Sequence, residues 1–364
     1  MSKIERNNRF VLLRYLSGML LSRVLICAAA LVGLLEILAL LEQTTPILQR
    51  HLGISGILTY AGMRLPFLLS STLPLSVLIG SLLTLTQMTL SSEMAILQAS
   101  GLSMIGLYKN LIPAVLIIGV LGIALDDQIT PRSEQALTAW WNRTNPHPED
   151  GHFFWFRGKD TLTRVSYVAD GGNALQGIDI YSRTPQGLLQ YVTHAKNADY
   201  THVTGWTLRH ITRVEVKATT AVTLPEQPEQ TWDIPLLPKD FIRLSVSNPP
   251  LSSGTILGML RGRLPSDASP GYLQGGLLER FLRPMTLLVL LLITMPVIHI
   301  PPRTGIRSWT PVWCLASGLL FVILQGLLRA MGNAGLLPPP VATIPGLIIF
   351  TLGAMTALLR NETK

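Results

Sequence analysis

The chain has 364 residues, of which 48% are hydrophobic and only 14% charged, and its formal net charge is +8. Soluble domains carry roughly 25% charged residues, so this composition, with a mean hydropathy of +0.39, excludes an ordinary soluble enzyme. The charge is unevenly placed: residues 126–249 hold 12 basic and 14 acidic side chains, whereas the other 240 residues hold 17 basic and 7 acidic. A polar, balanced block inside an apolar, basic frame reads as a membrane protein with one inserted soluble domain, and the basic excess serves membrane orientation rather than nucleic acid binding.

A helix needs about 20 apolar residues to cross the hydrocarbon core. The first candidate span, 24–41, is interrupted only by Glu36. It follows Lys3, Arg6, Arg9 and Arg14 and is too long for a cleaved signal, so it reads as an uncleaved first span. The second is 65–85, where Pro66 and Pro74 are tolerable because neighbouring helices re-satisfy the freed carbonyls. The third is 107–125. After the polar block come 281–298, 309–328 and 341–359. Residues 1–125 thus hold three spans, 126–249 the inserted domain, and 250–364 a connecting segment (with a short amphipathic stretch at 253–263) and three more spans.

The positive-inside rule orients them. Lys109, Arg303, Arg307, Arg360 and Lys364 fall on the side of the basic N-terminus, while the opposite short loops carry only Arg50 and Arg329. Both termini are therefore expected in the cytoplasm and the inserted domain outside it.

Between spans two and three lies Ser91-Ser92-Glu93-Met94-Ala95-Ile96-Leu97-Gln98-Ala99-Ser100-Gly101. Ser91 or Ser92 can cap a short helix, Glu93 suits its positive end, and Gly101 can terminate it. Met94 and Leu97 share a face with Gln98 and fit a groove on a partner. A helix lying on the bilayer would carry Lys or Arg towards headgroups; this one is acidic, which favours docking to a cytoplasmic protein.

In the inserted block the pattern changes to short strand-like runs at 152–157, 162–169, 177–182, 189–195, 206–211 and 213–222. Gly171-Gly172-Asn173, Thr184-Pro185-Gln186-Gly187 and Asn197-Ala198-Asp199 read as turns between them. Trp206, Leu208, Val214 and Val216 share one parity and Arg209, Arg213, Glu215 and Lys217 the other, as in a sheet with one buried face. Short strands without helices predict a β-sandwich or jelly roll, so the expected fold class is an α+β membrane protein, six transmembrane helices arranged 3+3 around a β-jelly-roll domain.

Catalytic motifs are lacking. The only Gly-Lys pair, Gly158-Lys159, is followed by Asp160 and does not make a phosphate-binding loop, and neither HExxH nor GxSxG occurs. Any energy from ATP must come from another subunit. Cys27 and Cys314 lie in apolar stretches and read as packing residues, and no cofactor or metal is implied.

The segment 92–101 resembles the coupling helix of the LptF/LptG permease family of the lipopolysaccharide exporter. Asp127-Gln128-Ile129-Thr130-Pro131-Arg132-Ser133-Glu134-Gln135 looks like the family's segment leaving span three. Gly177-Ile178-Asp179-Ile180-Tyr181, Gly205-Trp206-Thr207-Leu208, Leu237-Pro238-Lys239-Asp240 and Pro338-Pro339 are similar to later family motifs. Arg64-Leu65-Pro66, Gln98-Ala99-Ser100-Gly101 and Gly335-Leu336-Leu337-Pro338-Pro339 look more like the LptG branch than the LptF branch.

The resemblance implies a non-catalytic permease subunit of a bacterial inner membrane. It would pair with an LptF-like paralogue and be driven by an LptB-like ATPase homodimer docking on Glu93, Met94, Leu97, Gln98 and Gly101. Lipopolysaccharide taken from the outer leaflet would pass to an LptC-like bitopic protein and the periplasmic bridge. Anionic lipid needs cations near the outer ends of the spans: Arg132, Arg280 and Arg283 are candidates, with Arg64, Arg261 and Arg263 behind them, and Glu36 is an intramembrane carboxylate with a role by default. The family often has lysines at the outer end of span one, where this chain has Glu36 and Glu42. Either its lipid bears fewer or masked phosphates, or the cations come from elsewhere. The alternatives are the LptF branch, a lipoprotein-releasing ABC permease and a membrane scaffold without transport.

Overall fold

The structure is a computed structural model that describes residues 3–144, 153–157, 161–169, 172–184, 188–201, 205–216, 221–234, 236–244, 251–261, 269–299 and 309–362. Arg263, Arg303, Arg307, the Gly158-Lys159 pair and parts of two predicted turns (Gly171, and Pro185-Gln186-Gly187) lie outside the described residues.

Four helices open the chain: α1 (Lys3–Gln49), α2 (Gly53–Leu90), α3 (Glu93–Ala99) and α4 (Met104–Ala124). A five-residue π-helical turn, Leu125–Ile129, then carries α4 into α5 (Thr130–Arg143). Strands β1 (Phe154–Arg157), β2 (Thr161–Ala169), β3 (Ala174–Arg183), β4 (Leu189–Thr201), β5 (Gly205–Val216), β6 (Ala221–Thr223) and β7 (Gln227–Trp232) follow. Helices α6 (Pro238–Leu244), α7 (Ser253–Leu260), α8 (Pro270–Thr294), α9 (Thr310–Asn333) and α10 (Pro339–Glu362) complete the order.

Six helical segments among the described residues are long and apolar enough to cross a membrane. The first three, of 38 or 39 residues, run to about 57 Å, nearly twice a hydrocarbon core of about 30 Å. The sequence outlined only their apolar middles. Pro66 and Pro74 lie inside a continuous α2.

The chain divides into two compact units. One comprises Met1–Glu42, Leu65–Gln128 and Pro270–Lys364; the other Gln43–Arg64 and Ile129–Ser269. The helical unit has a single core. From α1 it takes Leu16, Leu20 and Val24, spaced every four residues along one stripe, and Val77, Leu78, Leu85 and Met88 of α2 meet them. At Gly80 a β-carbon would come within 2.7–2.9 Å of the Val24 backbone and side chain, so only glycine permits the approach of α1 to α2, a membrane-helix device. Buried hydroxyls on α2 are satisfied locally: Thr72, Ser76, Thr84 and Thr89 donate to the carbonyls four residues earlier.

In the other unit the seven strands form one antiparallel sheet in the order β1-β2-β3-β4-β5-β6, with β7 also on β5. This corrects the jelly-roll expectation. Each strand from β2 to β6 pairs with its predecessor, so the chain meanders; a jelly roll needs strands that cross between two sheets. Short connections such as that closed by the Thr184 N–H on the Leu188 carbonyl at 2.8 Å favour the neighbour over a crossover. β6 and β7 occupy successive stretches of the β5 edge, Val214–Val216 and Trp206–Ile211. The break between them contains Pro225, which has no N–H for a ladder.

What a second sheet would cover is covered by α6 and the segment before it. Phe241, fully buried, sits edge-on to Trp206 at 4.9 Å and to Phe156 at 5.5 Å, and the Trp206 indole N–H donates to the Leu236 carbonyl at 2.8 Å.

The sheet buries two rows that each cross four strands: Val165–Ile178–Ala195–Ile211 and Val168–Leu175–Ala198–Leu208. In every strand the two rows are three residues apart, which strict alternation would put on opposite faces. Gly177 (φ +62°) and His210 (φ +53°) lie between the rows in β3 and β5, where left-handed backbone interrupts strict alternation. Hence the buried members of β5 are Trp206, Leu208 and Ile211, and the predicted parity fails beyond His210. Asn197-Ala198-Asp199, predicted as a turn, is strand: Ala198 enters the core and Asp199 meets Arg209 at 3.4 Å.

Candidate functional site

Three places hold the residues singled out from sequence. The first is α3. Its N-cap residue Ser92 takes φ +61° and makes no side-chain cap. Glu93 is instead held by two hydroxyls, Ser91 Oγ donating to Oε1 at 3.0 Å and the Tyr15 phenol of α1 donating to Oε2 at 3.0 Å. At the other end Gly101 has φ +89°. The N–H of Gly101 donates to the Gln98 carbonyl at 2.9 Å and that of Leu102 to Leu97 at 3.1 Å, a left-handed C-terminal closure that favours glycine.

Met94 is only 3% exposed and belongs to the helical core, against which Leu97 also packs. The sequence offered that face to a partner; α2 and α4 supply enough apolar surface to take it inward. The outward residues are Ala95, Ile96, Gln98 and Ala99, with Ile96 69% exposed.

The second place is a charged network within the helical unit, where the π-helical turn meets α8. Arg283 forms an ion pair with Asp126, which also accepts from the Ser70 hydroxyl of α2. Arg283 donates further to Ser70 Oγ at 3.0 Å and to the Gly122 carbonyl at 3.3 Å. Arg280, one turn earlier, pairs with Asp127 at 3.2 Å, and Glu279 pairs with Arg329 of α9 at 2.6 Å. Each arginine named here faces a carboxylate, so the network is electrically balanced.

The third place lies in the other unit. Arg64 pairs with Glu134 at 3.3 Å, and Arg50 lies 3.8 Å over the Trp141 ring while donating to the Trp141 carbonyl at 2.7 Å. Burial pulls the Arg50 pKa below its ordinary value and pushes that of Tyr167 up, each effect partly opposed by the other residue's charge. Arg132 and Arg261 are exposed, and both carboxylate oxygens of Glu36 are shielded from solvent. An open cleft of about 510 Å³ beside the sheet is bordered by Tyr200, Trp206, Trp232 and Leu236.

Sequence reasoning did not find Tyr15, Ser70 or Asp126, and it named Ile96 and Asp127 only as members of longer motifs, with no role of their own. Adjacent carboxylates at the end of an apolar run were a visible signal. Their partners, 153 residues away in the case of Asp127 and Arg280, were not.

Among the described residues, six helices long and apolar enough to cross a membrane, three before and three after an inserted antiparallel sheet, define a multi-pass membrane protein. The family described as lipopolysaccharide export system permease LptF/LptG matches residues 14–360, and the chain belongs to that family. It is 21% identical to the lipopolysaccharide export system permease protein LptG of Escherichia coli K12 over 359 residues, 97% of this chain and 99% of that protein. To the LptG protein of Haemophilus influenzae it is 23% identical over 327 residues, 86% and 88% of the two chains.

Proposed function

We propose that this chain is the LptG-like permease half of an ATP-driven lipopolysaccharide exporter of the bacterial inner membrane, with both termini in the cytoplasm and the sheet unit in the periplasm. The family match along 14–360 carries this reading. The chain pairs with an LptF-like paralogue, an LptB-like ATPase homodimer supplies hydrolysis, and an LptC-like protein receives the lipid. The chain itself is a non-catalytic transport subunit.

Helix α3 is the ATPase docking element. Glu93 presents the charge, Ile96 and Gln98 the outward surface, and Gly101 ends the helix, while Met94 and Leu97 seat it from within. Desolvated charge pairs across such contacts fix register more than they add raw affinity. Arg132 offers an exposed cation on the lipid side.

The test is gentle purification of the tagged protein from native membranes, followed by mass spectrometry of what travels with it. An ATPase, a six-span paralogue and bound lipopolysaccharide are expected. Recovery without an ATPase would overturn the docking role and favour a scaffold. Glu93→Lys should lower ATPase retention at least tenfold, since a buried charge left opposite a like charge costs several kcal/mol, while the spans still insert.

A further inference from the structure

Resting on the docking role of α3, we infer that Tyr15 is the positioning residue that carries the state of the docked ATPase into span one. Helix α1 braces the elbow between α2 and α3 on both sides. Before the elbow, Arg23 donates to the Leu83 carbonyl of α2 at 2.6 Å and to the Gln87 side chain. After it, the Tyr15 phenol donates to Glu93 Oε2 at 3.0 Å. Tyr15 and Arg23 lie within the one continuous helix α1, about 12 Å apart along its axis, so a single helix holds both ends of the turn.

The elbow has little of its own to fix it. Ser92 takes φ +61°, a left-handed conformation unfavourable for a residue with a β-carbon, and it supplies no side-chain cap. The first turn of α3 is therefore oriented by what Glu93 touches. Ser91 Oγ holds Oε1 at 3.0 Å, but Ser91 belongs to the elbow and moves with it. Tyr15 is the partner anchored on another helix.

This bond transmits where packing does not. Met94 and Leu97 seat α3 through apolar contacts, which are non-directional and tolerate small sliding. A hydrogen bond weakens steeply once its geometry is lost, so a shift of Glu93 either draws the phenol along or breaks the bond. Helix α1 is gripped beyond it: Leu16 and Leu20 are in the helical core, and Val24 lies against Gly80. A carboxylate offers about four acceptor sites, and the two hydroxyls leave room on Glu93 for a cation of the ATPase with Tyr15 still in place.

The assembled exporter in nanodiscs is assayed for ATPase retention and for hydrolysis stimulated by lipopolysaccharide at saturating ATPase. Tyr15→Phe should keep retention within about twofold and lower stimulated hydrolysis about tenfold, the order of one hydrogen bond to a charged group. The ring is 52% exposed, so its packing changes little. In a Glu93→Ala background Tyr15→Phe should have no further effect, because the two residues act as one pathway. An additive loss there would assign Tyr15 a packing role and overturn the inference.

A 3-fluorotyrosine at position 15 keeps ring and hydroxyl, and it tests the link should Tyr15→Phe fail to assemble. Its fluorine resonance should shift when the ATPase binds, and the shift should be absent with Glu93→Ala. A resonance indifferent to ATPase binding, or stimulated hydrolysis by the Tyr15→Phe complex at the unaltered rate, overturns the inference. If Glu93→Ala alone leaves both retention and hydrolysis unaltered, the docking role of α3 fails and takes the inference with it, an outcome distinct from the others.

Discussion

At Glu93 two hydroxyls of the same chain already occupy the carboxylate, so docking on this residue must exchange or extend bonds that exist beforehand. The Tyr15 contact ties α3 to the first span, and Tyr15→Phe should leave the fold intact while weakening the link between ATPase binding and stimulated hydrolysis. A changed ratio of the two in reconstituted complexes would reveal it. Met94 and Ile96, two residues apart, should behave oppositely. Met94→Ala opens a cavity in the core and should cost about 2–5 kcal/mol, read as a lower unfolding midpoint in detergent. Ile96→Asp should leave that midpoint unchanged and reduce ATPase capture.

At the scale of elements, the sheet is informative because its departures from strict alternation are local. Gly177 has φ +62°, and a β-carbon there would meet Ser166 Oγ at 2.8 Å. Gly177→Ala should therefore destabilise the sheet unit by more than 1 kcal/mol or so, combining left-handed strain with a clash. His210 takes a similar conformation without being glycine. It is exposed on the strand, so His210→Gly should be neutral or stabilising by up to about 1 kcal/mol. Thermal unfolding of the two variants decides the matter, and the reverse ranking would mean that the break in alternation has another cause. The first three strands were legible from alternation and turn residues, whereas 206–211 and 213–222, expected as two strands, are joined in the one strand β5, and β7 (Gln227–Trp232) was not foreseen. The left-handed backbone at His210 was not, because such a conformation at a histidine has no mark in the sequence, and alternation continues formally through Arg213 and Glu215.

For the whole molecule, orientation is the property on which every functional assignment depends, and two exposed positions report it. A membrane-impermeant maleimide should label Arg132→Cys in intact spheroplasts and Ile96→Cys only after lysis. The native Cys27 and Cys314 are buried and leave little background. The opposite pattern would invert the topology and remove the docking role of α3. The charged network belongs to this scale as well: Ser70, Asp126, Arg283, Glu279 and Arg329 come from α2, the π-helical turn, α8 and α9, and only the packed bundle brings them together.

By itself the sequence determined that six apolar segments surround one polar, strand-rich block, that a short acidic helix separates the second and third spans, and that glycine ends it. These are local consequences of hydrophobic run length, alternation and capping chemistry, each contained within a few turns of chain. Tertiary structure alone decided three things: that the strands make one antiparallel meander covered by Phe241 and its helix, that Met94 faces the core, and that Arg280 and Arg283 answer to aspartates. Each depends on partners distant in sequence, and no local pattern encodes which of many carboxylates or apolar faces a folded chain will bring within a few ångströms.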